Sequence, residues 1–316
     1  MKNKTDVSII IPAYNAAKTI GILVSKILQE TNVDIELIIV NDGSTDDTSS
    51  IVKSIRDDRV ILIEQENQGV YAARNAALDI HRGEWVIFLD ADDEVADRFV
   101  YTRWQMAIKV QADVVIFNAW HSSRAVHKKQ PYGSSLSGHD WIQHCVTHKE
   151  WPHYLWLQII RSSYIKQHSL SFHHGKSHKD ILWTVHLAVS NGHFHLSDHK
   201  DYTYKFNVDS ITHRSDYFDV RALSYIDVIA EIIRLAKLDK NKRISLFLFR
   251  HALVETRHFL GLYRKKVRDE SGVKASFLAN ISLACLFRGI NSTSDVFFFI
   301  KLVGKLYNTN NKHRAK

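Results

Sequence analysis

The chain has 316 residues, 45% of them hydrophobic and 24% charged, which is the make-up of an ordinary globular protein and excludes a disordered or fibrous one. Its only cysteines, Cys145 and Cys285, lie far apart without metal-ligand spacing, so a disulfide scaffold is excluded and a reducing compartment is the default. A formal net charge of +8 points to an anionic partner: nucleic acid, a phosphorylated substrate or an acidic membrane surface.

The start, MKNKTDVSIIIPAYN, has too short an apolar core for a secretion signal, and no run approaches the roughly eighteen apolar residues of a membrane span. Residues 6–118 then repeat one grammar. Asp6–Ile11 predicts a strand, followed by a turn at Pro12–Asn15. Ile20, Leu23, Val24, Ile27 and Leu28 mark one face of a helix. Ile35–Val40 is the next strand and runs into NDGSTD (Asn41–Asp46), where Ser44 or Asp46 can cap a helix burying Ile51, Val52 and Ile55. A strand at Val60–Ile63, the loop EQENQG and a helix near Val70–Ile80 follow. Trp85–Leu89 is a charge-free strand of the kind buried on both faces of a parallel sheet. A helix around Ala96–Val110 and a strand at Ala112–Phe117 complete the series. Strands alternating with helices predict an α/β fold: an open, mainly parallel sheet flanked by helices.

The strand ends carry the chemistry. Asp90, Asp92, Asp93 and Glu94 crowd together directly after the Trp85–Leu89 strand. Ligands of such sheets bind at the carboxyl ends of strands. Crowded carboxylates repel one another unless a cation sits among them, and hard oxygen ligands suit Mg²⁺ or Mn²⁺. An acidic turn capping the next helix is the plainer alternative. Likewise NDGS makes a good turn, and Arg74 could be a solvated helix cation. Yet Pro12, Tyr14 and Asn15, then Asn41 to Ser44, then Asn67 to Gly69 with Arg74 and Asn75, all fall on one rim.

IIIPAYN (Ile9–Asn15), VNDGSTDDT (Val40–Thr48), ENQGVYAARNAAL (Glu66–Leu78) and GEWVIFLDADD (Gly83–Asp93) resemble the successive motifs of family 2 glycosyltransferases. The resemblance implies a GT-A fold and an inverting enzyme using a nucleotide-diphosphate sugar. It covers the first 120 residues closely and extends more loosely to about residue 213. By that resemblance Pro12, Tyr14, Asn15 and Asp42 would line the nucleoside pocket, and Arg74 would lie near the diphosphate. Asp90, with Ala91 beside it, would face the donor ribose, and Asp92 would hold the divalent metal. No G-x-x-x-x-G-K-[ST] loop is present, which removes the P-loop route to phosphate binding.

The second half is less regular. Gln130–His139 reads as a loop. YLWLQIIRSSYI (Tyr154–Ile165) resembles the segment joining donor and acceptor halves, with Trp156 either core or site. FHHGKSHKDILWT (Phe172–Thr184) resembles the stretch that carries the family's catalytic base. Asp180 matches that aspartate, while Lys179 stands where glutamate is usual, and its charge should favour ionised Asp180. YTYKFNVDSITH (Tyr202–His213) resembles the strand and turn that follow, with Ser210 and His213 near the donor. Nineteen histidines invite a zinc reading, but without cysteine partners or an H-E-x-x-H they read as solvated or core residues. From Tyr217 the pattern is helical. Arg264, Lys265, Lys266, Arg268 and Lys274 precede SFLANISLACLFRGI (Ser276–Ile290), and VFFFIKLVGKLY (Val296–Tyr307) precedes Lys312, Arg314 and Lys316. Such a basic, aromatic tail fits either an acidic membrane surface or packing on its own domain.

The expectation is therefore a GT-A domain over 1–215, with a nucleotide-sugar half (1–118) and an acceptor half (119–215), and a helical basic extension over 216–316. It would add one sugar, from UDP-sugar by expectation, to a polyprenyl-diphosphate-linked glycan acceptor in bacterial surface polysaccharide synthesis. It would sit peripherally on the cytoplasmic face of the inner membrane, with no nucleic-acid partner. Missing membrane spans and the lack of a Q-x-x-R-W box (Val100 stands where Arg103–Trp104 would need glutamine) argue against a processive synthase. A phosphohydrolase using the D-x-D and a non-catalytic nucleotide-sugar-binding scaffold are the rival classes.

Overall fold

The computed structural model describes residues 5–121, 124–175, 177–204 and 217–307. Two compact units divide the chain: Met1–Gly175 with Lys179–Val208, and Lys176–His178 with Asp209–Lys316.

The first unit opens with β1 (Val7–Ala13), α1 (Ile20–Leu28), β2 (Ile35–Asp42), α2 (Thr48–Ser54), β3 (Val60–Gln65), α3 (Val70–Ile80) and β4 (Trp85–Phe88). It continues through β5 (Glu94–Val95), α4 (Phe99–Val110), β6 (Val114–His121), β7 (Arg124–Ala125), β8 (Ser135–Ser137) and α5 (Gly138–His148). A short 3₁₀ turn at Leu155–Leu157 leads to β9 (Gln158–Arg161), α6 (Ser162–Gln167), α7 (Asp180–Val189) and β10 (His193–Tyr204). Among the described residues the sheet has ten strands in the order β3-β2-β1-β4-β9-β6-β10-β5, with β7 on β6 and β8 on β10. β3, β2, β1 and β4 run parallel, and β9 enters antiparallel between β4 and β6. The fold is thus a mixed, mainly parallel sheet flanked by helices.

Every residue of β1, β2 and β4 is buried, which is why these strands read as apolar runs instead of alternating ones. β1 runs on through Pro12 and Ala13, which the sequence pattern assigns to a turn. Of β1, Val7–Ile10 are the residues paired with β4, so the missing N–H of Pro12 breaks no rung on that side. Asp47, not Ser44 or Asp46, holds the N-cap position of the helix after β2, and its side chain makes no cap bond. Asp46 instead accepts from the amides of Ala17 and Thr48, and Ser44 Oγ accepts from Asn15 N–H, so both residues tie the loop after β2 to the loop after β1.

Two further boundaries differ from the pattern. α4 begins at Phe99, not Ala96, because Arg98 takes a left-handed φ of 58°. The buried Glu30 carboxylate then accepts from the amides of Val100 and Tyr101, capping α4 from 70 residues away. Part of the Gln130–His139 stretch is ordered as β8 and the start of α5, with Ser137 accepting from Asp140 N–H at the helix start. Trp156 is core: it is 5% exposed and its ring lies parallel to that of Tyr202 at 4.1 Å.

The second unit is helical: α8 (Tyr217–Leu238), α9 (Lys242–Tyr263), α10 (Glu270–Asn280), α11 (Leu283–Phe287) and α12 (Thr293–Tyr307). α8 packs along α9, burying Ile226, Ile229, Ile232 and Ile233 from one and Leu248, Ala252 and Phe259 from the other. Ser276–Ile290 is broken rather than one helix, because Ile281 is extended between α10 and α11. No helix among the described residues is long and apolar enough to cross a membrane. Ser210, His213, Lys312, Arg314 and Lys316 lie outside the described residues.

Candidate active site

β2, β1 and β4 are neighbours, so the segments that leave their carboxyl ends meet on one rim. At the end of β1, Pro12 is buried and Tyr14 is 45% exposed. Asn15 adopts φ 52°, a conformation Asn tolerates better than most residues, and its Oδ1 accepts from Thr45 N–H at 2.8 Å. After β2, Gly43 adopts φ 71°, and a side chain there would meet the Asn67 main-chain nitrogen at 2.8 Å. Only glycine lets the NDGS loop lie against the loop before α3. Asp42 fastens the same two loops. Its buried carboxylate accepts from Gln68 N–H and Gly69 N–H at 2.8 Å each and from Gln65 Nε2 at 2.7 Å.

α3 starts at that fastening point, with Gly69 as its N-cap residue. Tyr71, Arg74 and Asn75 follow at helical spacing of three and four, so they share one face. Each meets a different part of the chain. Arg74, 6% exposed, is no solvated cation: its Nη2 is 2.6 Å from Asp90 Oδ1. Its Nε has no hydrogen-bond partner among the described residues. Asn75 holds Phe172 by donating to its carbonyl at 2.9 Å and accepting its N–H at 2.8 Å. Tyr71 OH lies 3.2 Å from Asp180 Oδ1.

Beyond β4, the acidic residues fold into one tight turn. Asp90 N–H donates to Asp93 Oδ2 at 3.1 Å, and Asp93 N–H donates to Asp90 O at 3.2 Å. Ala91 is buried beneath it, while Asp92 is exposed. Burial, then the charges of Asp90 and Asp92, push the Asp93 carboxyl up to about 9. That is the like-charge crowding a divalent cation relieves, and carboxylate oxygens are the donors Mg²⁺ and Mn²⁺ prefer. Asp92, with Asp90 and Asp93 beside it, could hold such an ion.

Asp180 is the first residue of α7 and is half-buried. Burial pushes its carboxyl above the usual range, Arg74 and the Tyr71 hydroxyl pull it down, and Asp90 pushes it up again. Arg74 is thus a cation that acts on Asp180 from another helix. Lys179 is 3% exposed and lies along Gly175, where a side chain would come within 2.3 Å of its Cε. The Lys179 main chain joins the site by donating to Tyr71 OH at 3.0 Å. Among the nearby histidines, His173 and His186 face each other with Nε2 atoms 3.1 Å apart.

Sequence reasoning missed Tyr71, and it placed Asn75 and Asp93 on the rim without giving either a role. The face shared with Arg74 was the available signal for Tyr71 and Asn75. For Asp93 it was the turn that places a third carboxylate against the first.

A parallel-sheet rim carrying crowded acids, a buried guanidinium and a half-buried carboxylate defines an enzyme site for a phosphorylated substrate. Residues 8–175 match the sequence profile of Glycosyl transferase family 2. The uncharacterized glycosyltransferase YibD of Escherichia coli K12 is 30% identical over 257 residues, which is 76% of this chain and 73% of that protein. The chain belongs to glycosyltransferase family 2. The E. coli UDP-Glc:alpha-D-GlcNAc-diphosphoundecaprenol beta-1,3-glucosyltransferase WfaP is 48% identical over 88 residues, covering 28% of this chain and 35% of that protein. The crystal structure of S. aureus TarS 1–349 in complex with UDP-GlcNAc shares the fold, with a TM-score of 0.72 at 18% identity, covering 98% of this chain and 93% of that one. The protein is a glycosyltransferase of the bacterial polysaccharide-synthesis type that uses a nucleotide-sugar donor.

Proposed function

We propose that the protein is an inverting hexosyltransferase that moves one sugar from a UDP-sugar to a hydroxyl of a polyprenyl-diphosphate-linked glycan in surface-polysaccharide synthesis. The observation that carries this reading is the single face of α3, whose Arg74 engages Asp90 and whose Tyr71 engages Asp180. It ties the acidic turn to a half-buried carboxylate on another element. WfaP supports the donor and acceptor classes, since its name specifies UDP-glucose and a diphosphoundecaprenol-linked sugar.

In this reading Asp42 and Asn15 hold the loops that shape the nucleoside pocket, Pro12 forms its floor, and Tyr14 offers an exposed ring to the base. Asp90 and Ala91 face the ribose. Arg74 sets positive charge beside the diphosphate, where a planar fork of donors suits phosphate oxygens. A bound Mg²⁺ or Mn²⁺, held by Asp92 with its neighbours, would supply further neutralisation of the leaving nucleotide. Asp180 takes the proton of the acceptor hydroxyl as that oxygen bonds to the anomeric carbon. The bond from that carbon to the diphosphate oxygen breaks, and its electron pair departs with the nucleotide. One displacement inverts the configuration, so one base suffices.

Residues 1–215 carry the donor (1–118) and acceptor (119–215) functions in this reading, and 216–316 form the membrane-facing extension. In the second unit Val296, Phe297 and Ile300 of α12 are 44%, 73% and 62% exposed, with exposed Lys301 and Lys305 on the same helix and Phe287 at 62% on α11. Apolar side chains beside lysines suit peripheral attachment to an acidic leaflet, on the cytoplasmic side where nucleotide sugars are found. Thermal unfolding with a panel of nucleotide sugars tests the donor half of the reading. One UDP-sugar should raise the midpoint with Mn²⁺ present and fail to do so in excess chelator. A donor shift that ignores chelator would remove the metal, and no shift from any nucleotide sugar would remove the donor site.

A further inference from the structure

The residue that holds the proposed base comes from the donor half of the sheet. Tyr71 is 5% exposed, packed in line with Phe172 at a centroid distance of 6.1 Å, with the Arg74 guanidinium 5.8 Å from its ring. Phe172 is itself fixed from both main-chain ends by Asn75 and stacks on Trp183 of α7 at 4.3 Å. The ring therefore has little freedom, and the position of its hydroxyl is set. That hydroxyl accepts from Lys179 N–H at 3.0 Å. With an N–H already pointing at its oxygen, its single proton is directed to the carboxylate beside it, Asp180 Oδ1 at 3.2 Å.

We propose that Tyr71 is the positioning residue for Asp180, its hydroxyl holding one carboxylate oxygen so that the other is presented to the acceptor hydroxyl. The inference rests on Asp180 being the base. An ionised carboxylate only accepts hydrogen bonds, so a donor on Oδ1 restricts its rotation and leaves Oδ2 free to take a proton. Burial and the charge of Asp180 raise the Tyr71 phenol far above its ordinary value, so it remains a donor throughout the working range. The groups facing Asp180 among the described residues are Arg74 and Tyr71 from α3, Asp90 from the turn after β4, and its own helix start. Tyr71 is the neutral donor of that set, and its loss leaves the charged members unchanged. Because α3 begins where Asp42 grips Gly69, the turn that carries Tyr71 is anchored at the donor pocket.

The test is the pH dependence of sugar transfer by Tyr71→Phe, measured beside Asp180→Asn. Tyr71→Phe should keep donor binding and lower kcat on the order of tenfold, with the acid limb of kcat moved to higher pH because the carboxylate has lost a donor. A role in packing alone would lower stability without moving that limb. Replacing Tyr71 by a ring-fluorinated tyrosine keeps the shape and strengthens the donor, so the limb should move to lower pH even if Tyr71→Phe folds poorly. An unmoved acid limb in both variants, with Asp180→Asn inactive, overturns the role of Tyr71 and spares that of Asp180. Wild-type transfer by Asp180→Asn overturns both.

Discussion

Arg74 is buried against Asp90 with part of its fork uncommitted, and its worth lies in shape as much as charge. Arg74→Lys keeps the cation and loses the fork, so donor affinity by calorimetry should fall at least about tenfold, the worth of one charge-assisted hydrogen bond. Asp92→Ala should abolish the metal-dependent part of donor binding while leaving the thermal midpoint of the free protein nearly unchanged, since Asp92 is exposed. At this scale the sequence was informative about placement where residues sit in a contiguous motif, as for Asp42, Asp90 and Asp92 at the strand ends. It was uninformative about who meets whom. Tyr71 and Asp180 are 109 residues apart, and no local rule pairs them. Arg74 likewise acts on Asp180 from another helix, a pairing that adjacency in the sequence does not suggest.

Among elements, the alternating half of the sheet was legible because each parallel strand is buried on both faces and each crossover helix bears one apolar face. β9 was not. Its four residues are apolar enough for strand or helix, and only pairing with β4 and β6 decides. The far side of the sheet hangs on a similar non-local tie. Arg103 of α4 is fully buried and grips Asp201 of β10 through Nε and Nη2 at 2.9 and 2.6 Å, with Nη1 on the Trp156 carbonyl. Removing one partner strands a buried charge, so Arg103→Met should cost about 3–5 kcal/mol by denaturant unfolding. Arg103→Met with Asp201→Leu should cost less than Arg103→Met alone. Closer to the site, Gly83→Ala would put a Cβ 2.4 Å from the Ser8 main-chain nitrogen, so β1 and the approach to β4 must part. A loss of at least about 1–3 kcal/mol is expected there.

For the whole molecule, the response to acid should come in two stages. His127 is 7% exposed and burial pushes its imidazole down to about 4, from an ordinary value near 6.5. The unfolded chain then binds a proton that the folded one refuses, so stability falls as pH drops from about 6.5 to about 4. Glu64, held down to about 2 by Lys53, Ser49 and Asn41, favours the folded state above its ordinary value near 4.5 and loses that advantage as pH falls toward 2. Denaturant midpoints followed against pH should fall through both windows, and His127→Phe should make the first shallower, with His81, His178 and His195 also held down, and leave the second unchanged. On the proposed membrane-facing reading, the second unit should add a salt-sensitive behaviour. Phe297→Glu with Ile300→Glu should release the protein from vesicles containing acidic lipid, and high salt should weaken the binding of the parent chain, since exposed charges are screened beyond about 8 Å at physiological ionic strength. Equal sedimentation of parent and variant with such vesicles would return α12 to ordinary surface.

The most direct test of the whole account is transfer by Asp180→Asn, a change of nearly the same shape that removes the proton acceptor. Donor binding should stay close to that of the parent, while transfer to a polyprenyl-diphosphate-linked acceptor should fall at least about a hundredfold, the usual worth of a general base. Parent-like transfer by Asp180→Asn would contradict the account, since none of the other carboxylates described on the rim is positioned as Asp180 is.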